Sequence, residues 1–277
     1  MYILGNEGSF ANKVIKELKL KNSGKIFEYY LIKRNVDSAV AIKNSINWIR
    51  NFKKLNSSII FIGGETRNEN KMYLMNVLLP YCIYMESQKS NVRFIYLSSL
   101  SVFGLPSSKI MTFASKMRPE DFYGKTKLML DNILFANSLN GISAIFPGSI
   151  VTKKRPNLIW KIYKYRDNSI ISFLFRFIPF VGGLSATNPK MITNEIYKQS
   201  LVKVDDPSKK IFCTEFVALE SISNYLKILG IKVKNDSTKP IFKIKSFSLF
   251  FVKLITTFLP YALRRRIIFF TIPIYYK

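Results

Sequence analysis

Histidine is absent from this chain, and cysteine occurs only twice, at the widely separated Cys82 and Cys213. A histidine-based catalytic triad is therefore excluded, and no ligand set has the spacing of a zinc or other metal site. Acidic residues are scarce. There are 17 Asp+Glu against 43 Lys+Arg, a formal net charge of +26. That excess suits nucleic acid, an anionic membrane or phosphate-bearing small molecules. It reads equally well as a bias toward Lys, Asn and Ile spread over the whole chain. No basic block is interleaved with aromatics in the manner of a nucleic-acid module, so that partner is not expected. Long apolar runs are lacking too. A membrane-spanning helix needs about 20 consecutive apolar residues. Of the two greasiest stretches, 170–184 carries Arg176, and 247–260 is broken by Lys253 and Pro260. The N-terminus has no basic region followed by a long apolar run, so no signal peptide is expected and the localisation reads as cytoplasmic.

What the chain does contain is a hydrophobic fraction of 48% over 277 residues, enough for a large domain or a domain with a lobe. Short apolar strands alternate with helical stretches. Tyr2-Ile3-Leu4 runs into Gly5-Asn6-Glu7-Gly8-Ser9-Phe10-Ala11, and a helix with Val14, Ile15 and Leu18 on one face follows. Strand, glycine turn and helix together aim a helix N-terminus at a phosphate. Gly5 permits the turn, Gly8 lets the backbone approach a pyrophosphate, and Ala11 allows close packing. The second strand, Ile26 to Ile32, ends in Lys33-Arg34 where an acid would take a ribose 2′-hydroxyl. Basic groups there lean toward a 2′-phosphate, hence NADP over NAD. A helix over Ala39 to Leu55 leads to the strand Ser58 to Ile62, closed by Gly63-Gly64. Then come a helix from Lys71 to Glu86 containing Asn76, the strand Phe94 to Leu97 with Ser98-Ser99, a loop from Gly104 to Pro119, and a helix from Phe122. The strand Ile142 to Phe146 ends in Pro147-Gly148-Ser149. This rhythm predicts an α/β fold, a Rossmann-type doubly wound parallel sheet. The ends carrying Gly5, Gly63, Ser99 and Pro147 should gather at one edge, where such sheets bind ligands.

The chemistry centres on Tyr123-Gly124-Lys125-Thr126-Lys127. Tyr123 and Lys127 stand at i and i+4, on one face of the expected helix. A cation beside a phenol is expected to lower its pKa and let it pass a proton near neutral pH. Ser99 can offer a hydroxyl to the same substrate oxygen. Taken alone, such a pair is more often a half-buried aromatic beside a solvated lysine.

Six motifs fall in the order of one family. They are Gly5-x-x-Gly8-x-x-Ala11, Gly63-Gly64, Asn76, Ser98-Ser99-x-Ser101-Val102-Phe103-Gly104, Tyr123-Gly124-Lys125-Thr126-Lys127 and Phe146-Pro147-Gly148. The chain resembles the extended short-chain dehydrogenase/reductases, the NAD-dependent epimerase/dehydratase family of nucleotide-sugar enzymes. Coverage is good to about Ser149, with echoes at Phe180-Val181-Gly182-Gly183 and Ile211-Phe212-Cys213, the latter leading into an expected helix over 220–229. The resemblance implies that Gly5, Gly8 and the amides near Ser9, Phe10 and Ala11 hold the pyrophosphate, with Lys33, Arg34, Gly63, Gly64 and Pro147 also lining the cofactor. It implies that Ser99 binds the substrate oxygen, that Tyr123 is the acid/base, and that Lys127 binds the nicotinamide ribose and tunes Tyr123. Asn76 matches a structural position. Leu100 and Ser101 replace the Asp-Glu pair of the sugar dehydratases, which disfavours water elimination. Phe146 and Phe103 replace the usual Arg and Tyr.

The division expected is a Rossmann domain over 1–168 and a smaller, mostly helical substrate lobe over 169–277. Lys153, Lys154 and Arg155, or Lys161, Lys164 and Arg166, are candidates to face a diphosphate. The apolar C-terminal segment with Arg264-Arg265-Arg266 fits either a helix lying on the inner face of a membrane or lobe helices packed on their own core. Three functions follow from the resemblance. The first is an NADPH-dependent reductase of a 4-keto sugar nucleotide serving surface-polysaccharide synthesis. The second is a C4 epimerase of a nucleotide- or lipid-linked sugar with bound NAD. The third is an inactive relative that senses or scaffolds through NADP(H). A homodimer is compatible with each.

Overall fold

The computed structural model describes residues 1–22, 27–33, 35–52, 57–137, 140–151, 183–218, 227–228, 252–254 and 256–277. The chain forms two compact units interleaved in sequence. The first comprises Met1–Gly104, Met117–Pro147 and Pro189–Cys213; the second comprises Leu105–Lys116, Gly148–Asn188 and Thr214–Lys277.

The first unit is built on a six-stranded parallel sheet. Its strands are β1 (Tyr2–Asn6), β2 (Glu28–Ile32), β3 (Ile59–Phe61), β4 (Phe94–Leu97), β6 (Ile142–Pro147) and β9 (Lys209–Cys213), in the spatial order β2-β1-β3-β4-β6-β9. β3, β4 and β6 are buried at every position. Continuous apolar strands of that kind need both faces of the sheet covered, and the helices supply the cover. α1 (Ser9–Lys21) buries Ala11, Val14, Ile15 and Leu18, and packs beside α6 (Pro189–Ser200). The other face carries α2 (Ser38–Arg50), the run α3 (Glu69–Tyr73) to α4 (Leu79–Lys89), and α5 (Phe122–Asn137). α2 begins where Asp37 accepts from the amides of Ala39 and Val40 at 2.8 and 3.4 Å. Between α3 and α4 the helix widens into a π turn over Leu74–Leu78. In the first unit the expected strands and helices are present with their ends shifted by a few residues. β2 forms one edge of the sheet, because the chain passes from it through α2 to β3 on the far side of β1.

The second unit contains a three-stranded sheet of β7 (Ser149–Ile150), β8 (Gly183–Thr187) and β10 (Glu215–Ala218). β8 runs antiparallel to β10 and parallel to β7. A two-stranded parallel ladder joins β5 (Ile110–Met111) to β11 (Tyr275–Tyr276), beside α7 (Tyr261–Thr271). Phe216 and Tyr275 meet at 4.8 Å between ring centroids. Among the described residues, no helix is long and apolar enough to cross a membrane. The candidate diphosphate contacts at 153–166, the Phe180 echo and the expected helix over 220–229, save residues 227–228, lie outside the described residues.

Candidate functional site

Because the six strands are parallel, their carboxyl ends share one edge of the sheet. The order reverses between β1 and β3, and such a switch point is where sheets of this kind take ligands. The Gly5-to-Gly8 loop sits there, between β1 and the start of α1. No side chain caps α1, and its first turn holds no acid, so its amides are available to an anion. Gly5 packs tightly: a Cβ on it would stand 2.7 Å from the Ile62 side chain. Ala11 is buried, Phe10 is half-buried and Ser9 is exposed. Asn6 Nδ2 donates to Gly64 O at 2.9 Å, whereas its buried Oδ1 has no hydrogen-bond partner. A Cβ on Gly63 would come within 2.8 Å of that oxygen and of the Phe61 ring. An uncapped helix end, an orphaned buried oxygen and a bare strand end together fit the phosphates and flat ring of a dinucleotide. Lys33 lies exposed just past β2, Pro147 ends β6, and Arg34 lies outside the described residues.

Ser99, Tyr123 and Lys127 come together at the end of β4. The Ser99 hydroxyl stands close enough to Tyr123 to favour its ionised form. Gly124 makes this approach possible, since a Cβ there would lie 2.8 Å from Ser101 O. Ser101 donates its hydroxyl hydrogen to Ser99 Oγ at 2.8 Å, and its amide donates to the same atom at 3.2 Å. Lys127 is buried and donates to Leu97 O at 2.8 Å, with its ammonium 5.8 Å from the Tyr123 ring centroid. Gly64 faces that ammonium, in a positive-φ conformation (φ 153°) that favours glycine. Asn76, placed by the π turn, accepts from Glu65 N at 2.7 Å and donates to Glu65 O at 2.9 Å and Thr126 Oγ1 at 3.1 Å. It thereby ties the loop after β3 to α5.

The electrostatics differ from the expectation for the phenol. Tyr123 is pushed up to about 12, chiefly by burial; the Ser99 hydroxyl pulls the other way, and the charges of Asp121 and Asp131 add to the rise. Tyr123 as a residue is half-buried. Burial likewise brings Lys127 down, to about 8, so it remains a cation at neutral pH. Among the described residues, the sequence reading missed two contributors to the site. Ser101 was seen only as the replacement for an acid, although its position two residues after Ser99 places it to reach back. Asp131 stands four residues after Lys127 and is wholly buried. It accepts from Tyr96 OH at 2.5 Å and from Ser98 Oγ at 2.7 Å. The i, i+4, i+8 series of Tyr123, Lys127 and Asp131 was the available signal.

No protein-family model and no curated protein matches the chain. Solved structures do. WbmG of Bordetella bronchiseptica, in complex with NAD and UDP, is 13% identical with a TM-score of 0.61, over 88% of this chain and 83% of that one. The dTDP-4-dehydrorhamnose reductase of Bacillus anthracis, in complex with NADP, is 14% identical with a TM-score of 0.63, over 88% and 87%. MoeE5, in complex with UDP-glucose and NAD, is 17% identical with a TM-score of 0.60, over 83% and 82%. At these identities the likeness is one of fold. It agrees with the resemblance to the extended short-chain dehydrogenase/reductases drawn from the motifs.

Proposed function

We propose that this chain is an NAD(P)-dependent oxidoreductase of the extended short-chain dehydrogenase/reductase family that reduces a 4-keto sugar nucleotide for surface-polysaccharide synthesis in the cytoplasm. The observation that carries the proposal is the buried Lys127 ammonium, held on Leu97 O at the end of β4 and 5.8 Å from the Tyr123 ring, with Ser99 beside the phenol. When bound, a reduced nicotinamide supplies the hydride that goes to the carbonyl carbon. The protein supplies the rest. Ser99 hydrogen-bonds the carbonyl oxygen, and Ser101 keeps the Ser99 hydroxyl oriented. Tyr123 gives that oxygen its proton, which makes the alcohol and leaves a tyrosinate. The Lys127 cation stabilises the tyrosinate as it forms. The Gly5-to-Ala11 turn, Gly63, Gly64 and Pro147 hold the dinucleotide, and exposed Lys33 favours a 2′-phosphate and so NADP.

Exposed Lys33, placed to favour a 2′-phosphate, inclines the proposal to an NADPH-dependent reduction over a C4 epimerisation with bound NAD. The phenol is protonated at neutral pH and can act as the proton donor of a reduction. Peripheral contact with an anionic membrane is a further part of the proposal. Its support is Leu254 and Phe258, both exposed and close to Lys253 in sequence. Flotation with phosphatidylglycerol vesicles at low salt, reversed at high salt, is the expected result; a protein that stays off the vesicles removes this part.

The functional test is the purified protein with NADPH and a dTDP-4-keto-6-deoxyhexose, alongside Tyr123→Phe. Consumption of NADPH is expected, and the variant should retain nicotinamide while turnover falls about 10²–10⁴-fold. Tightly held NAD with no net consumption would shift the assignment to an epimerase. Neither binding nor consumption would overturn both and leave an inactive relative.

A further inference from the structure

Asp131 contributes nothing to the reaction drawn above, yet it is the acid most deeply set in the first unit. Its carboxylate lies beneath the site, wholly buried, and holds two side chains of one strand end. Tyr96 and Ser98 alternate along β4 and its exit, and both donate to it, one to each oxygen. The residues between and after them face the site. Leu97 offers the carbonyl that takes the Lys127 ammonium, and Ser99 offers the hydroxyl that meets Tyr123. Asp131 therefore grips one half of the strand end while the other half is used. It also stands one helical turn from Lys127, in an interior where a lone cation is costly.

We propose that Asp131 is a positioning residue for the Tyr123–Lys127 pair: its buried carboxylate fixes the end of β4 through Tyr96 and Ser98, and in ionised form it is the counter-charge that keeps Lys127 an ammonium. The charged and titratable groups facing it are Lys127 and Tyr123 from α5, Tyr96 from β4 and Lys210 from β9. Burial raises the carboxyl to about 6, against the hydrogen bonds of Tyr96 and Ser98 and the charges of Lys127 and Lys210. Lys127 comes down to about 8, and the Asp131 charge holds it from falling further. Two buried opposite charges one helical turn apart on α5 influence each other's titration. This role rests on the oxidoreductase reading for its purpose, but the coupling itself is a property of the free protein.

The test is an NMR pH titration of the full chain labelled at lysine Cε and aspartate Cγ, with Lys127 assigned by its loss in Lys127→Met. In the wild type, the Lys127 resonance should move once as Asp131 titrates near 6 and again near 8. In Asp131→Asn the first step should vanish, and the second should fall by about one pH unit, a roughly tenfold loss of ammonium over amine. An unchanged Lys127 titration in the variant would overturn the proposal. Should Asp131→Asn fail to fold, the wild type decides alone: a Lys127 resonance that does not respond near the Asp131 titration overturns it. No substrate or cofactor enters the titration, so it fails or succeeds independently of the turnover assay.

Discussion

The side-chain amide of Asn76 donates to Thr126 Oγ1 across 3.1 Å while its carbonyl accepts from Glu65 N at 2.7 Å. One side chain thus joins the loop after β3 to the helix that carries Tyr123. Replacing it by alanine leaves the Glu65 amide and carbonyl short of partners, while Thr126 keeps its bond to Tyr123 O. The expected cost is about 2–6 kcal/mol of stability, from two polar groups at roughly 1–3 kcal/mol each. Urea unfolding at fixed temperature measures it. A loss below about 1 kcal/mol would mean that water or neighbouring groups replace both bonds.

Ser101 orients the hydroxyl of Ser99, to which it donates. Ser101→Ala removes one side-chain hydrogen bond and keeps the amide bond to Ser99. Turnover is expected to drop about 3–10-fold, the equivalent of one hydrogen bond of roughly 1 kcal/mol. Nicotinamide affinity, read by fluorescence titration, should not change. A fall as deep as that of Ser99→Ala would instead place Ser101 in contact with substrate.

Much of this site was legible in the sequence because its pieces are local. The Tyr123–Lys127 spacing, the glycine turn before Ala11 and the apolar run from Phe94 each declare themselves within a few residues. The rest depends on distant partners. Nothing near Asp131 says that Tyr96 and Ser98, more than thirty residues earlier, will meet its carboxylate. The π turn that swings Asn76 inward leaves no mark on an apolar helix. β9 opens with Lys209 and Lys210, which hid its place in the sheet beside β6. The pKa of Tyr123 went the other way because the pairing was visible and the burial was not.

Lys127 gives a pH dependence of stability with a definite sign. Its proton is held to about 8 in the folded protein, against 10.5 ordinarily. Between these values the unfolded chain binds the extra proton, so the stability due to this group rises with pH. Below about 8 both states are protonated and the full cost of the buried cation is carried. Lys127→Met should relieve up to about 3 kcal/mol near pH 7, less whatever Asp131 loses with its counter-charge, and should abolish the rise between pH 8 and 10.5. Denaturant midpoints of the two proteins across that range test this. Parallel curves would contradict it.

Arg93 is a structural arginine, and its loss should separate folding from chemistry. It is buried, and donates to Ser143 Oγ at 2.9 Å, Ile142 O at 3.2 Å, Lys203 O at 2.8 Å, Asp206 O at 3.3 Å and Pro207 O at 3.1 Å. Arg93→Met strips several buried carbonyls of a donor at once. A loss of at least about 3 kcal/mol is expected, seen as a lower thermal midpoint. At temperatures where the variant stays folded, its turnover should match the parent; a specific loss of turnover would tie Arg93 to the site.

The anchor of the Lys127 ammonium is Leu97 O, a main-chain atom. Every amino acid carries that carbonyl, so no point mutation at position 97 can delete it. The cation's address is inherited with the path of the strand and not with the identity of a side chain. A chain can therefore exchange most side chains along β4 and still hold an ammonium at the same spot.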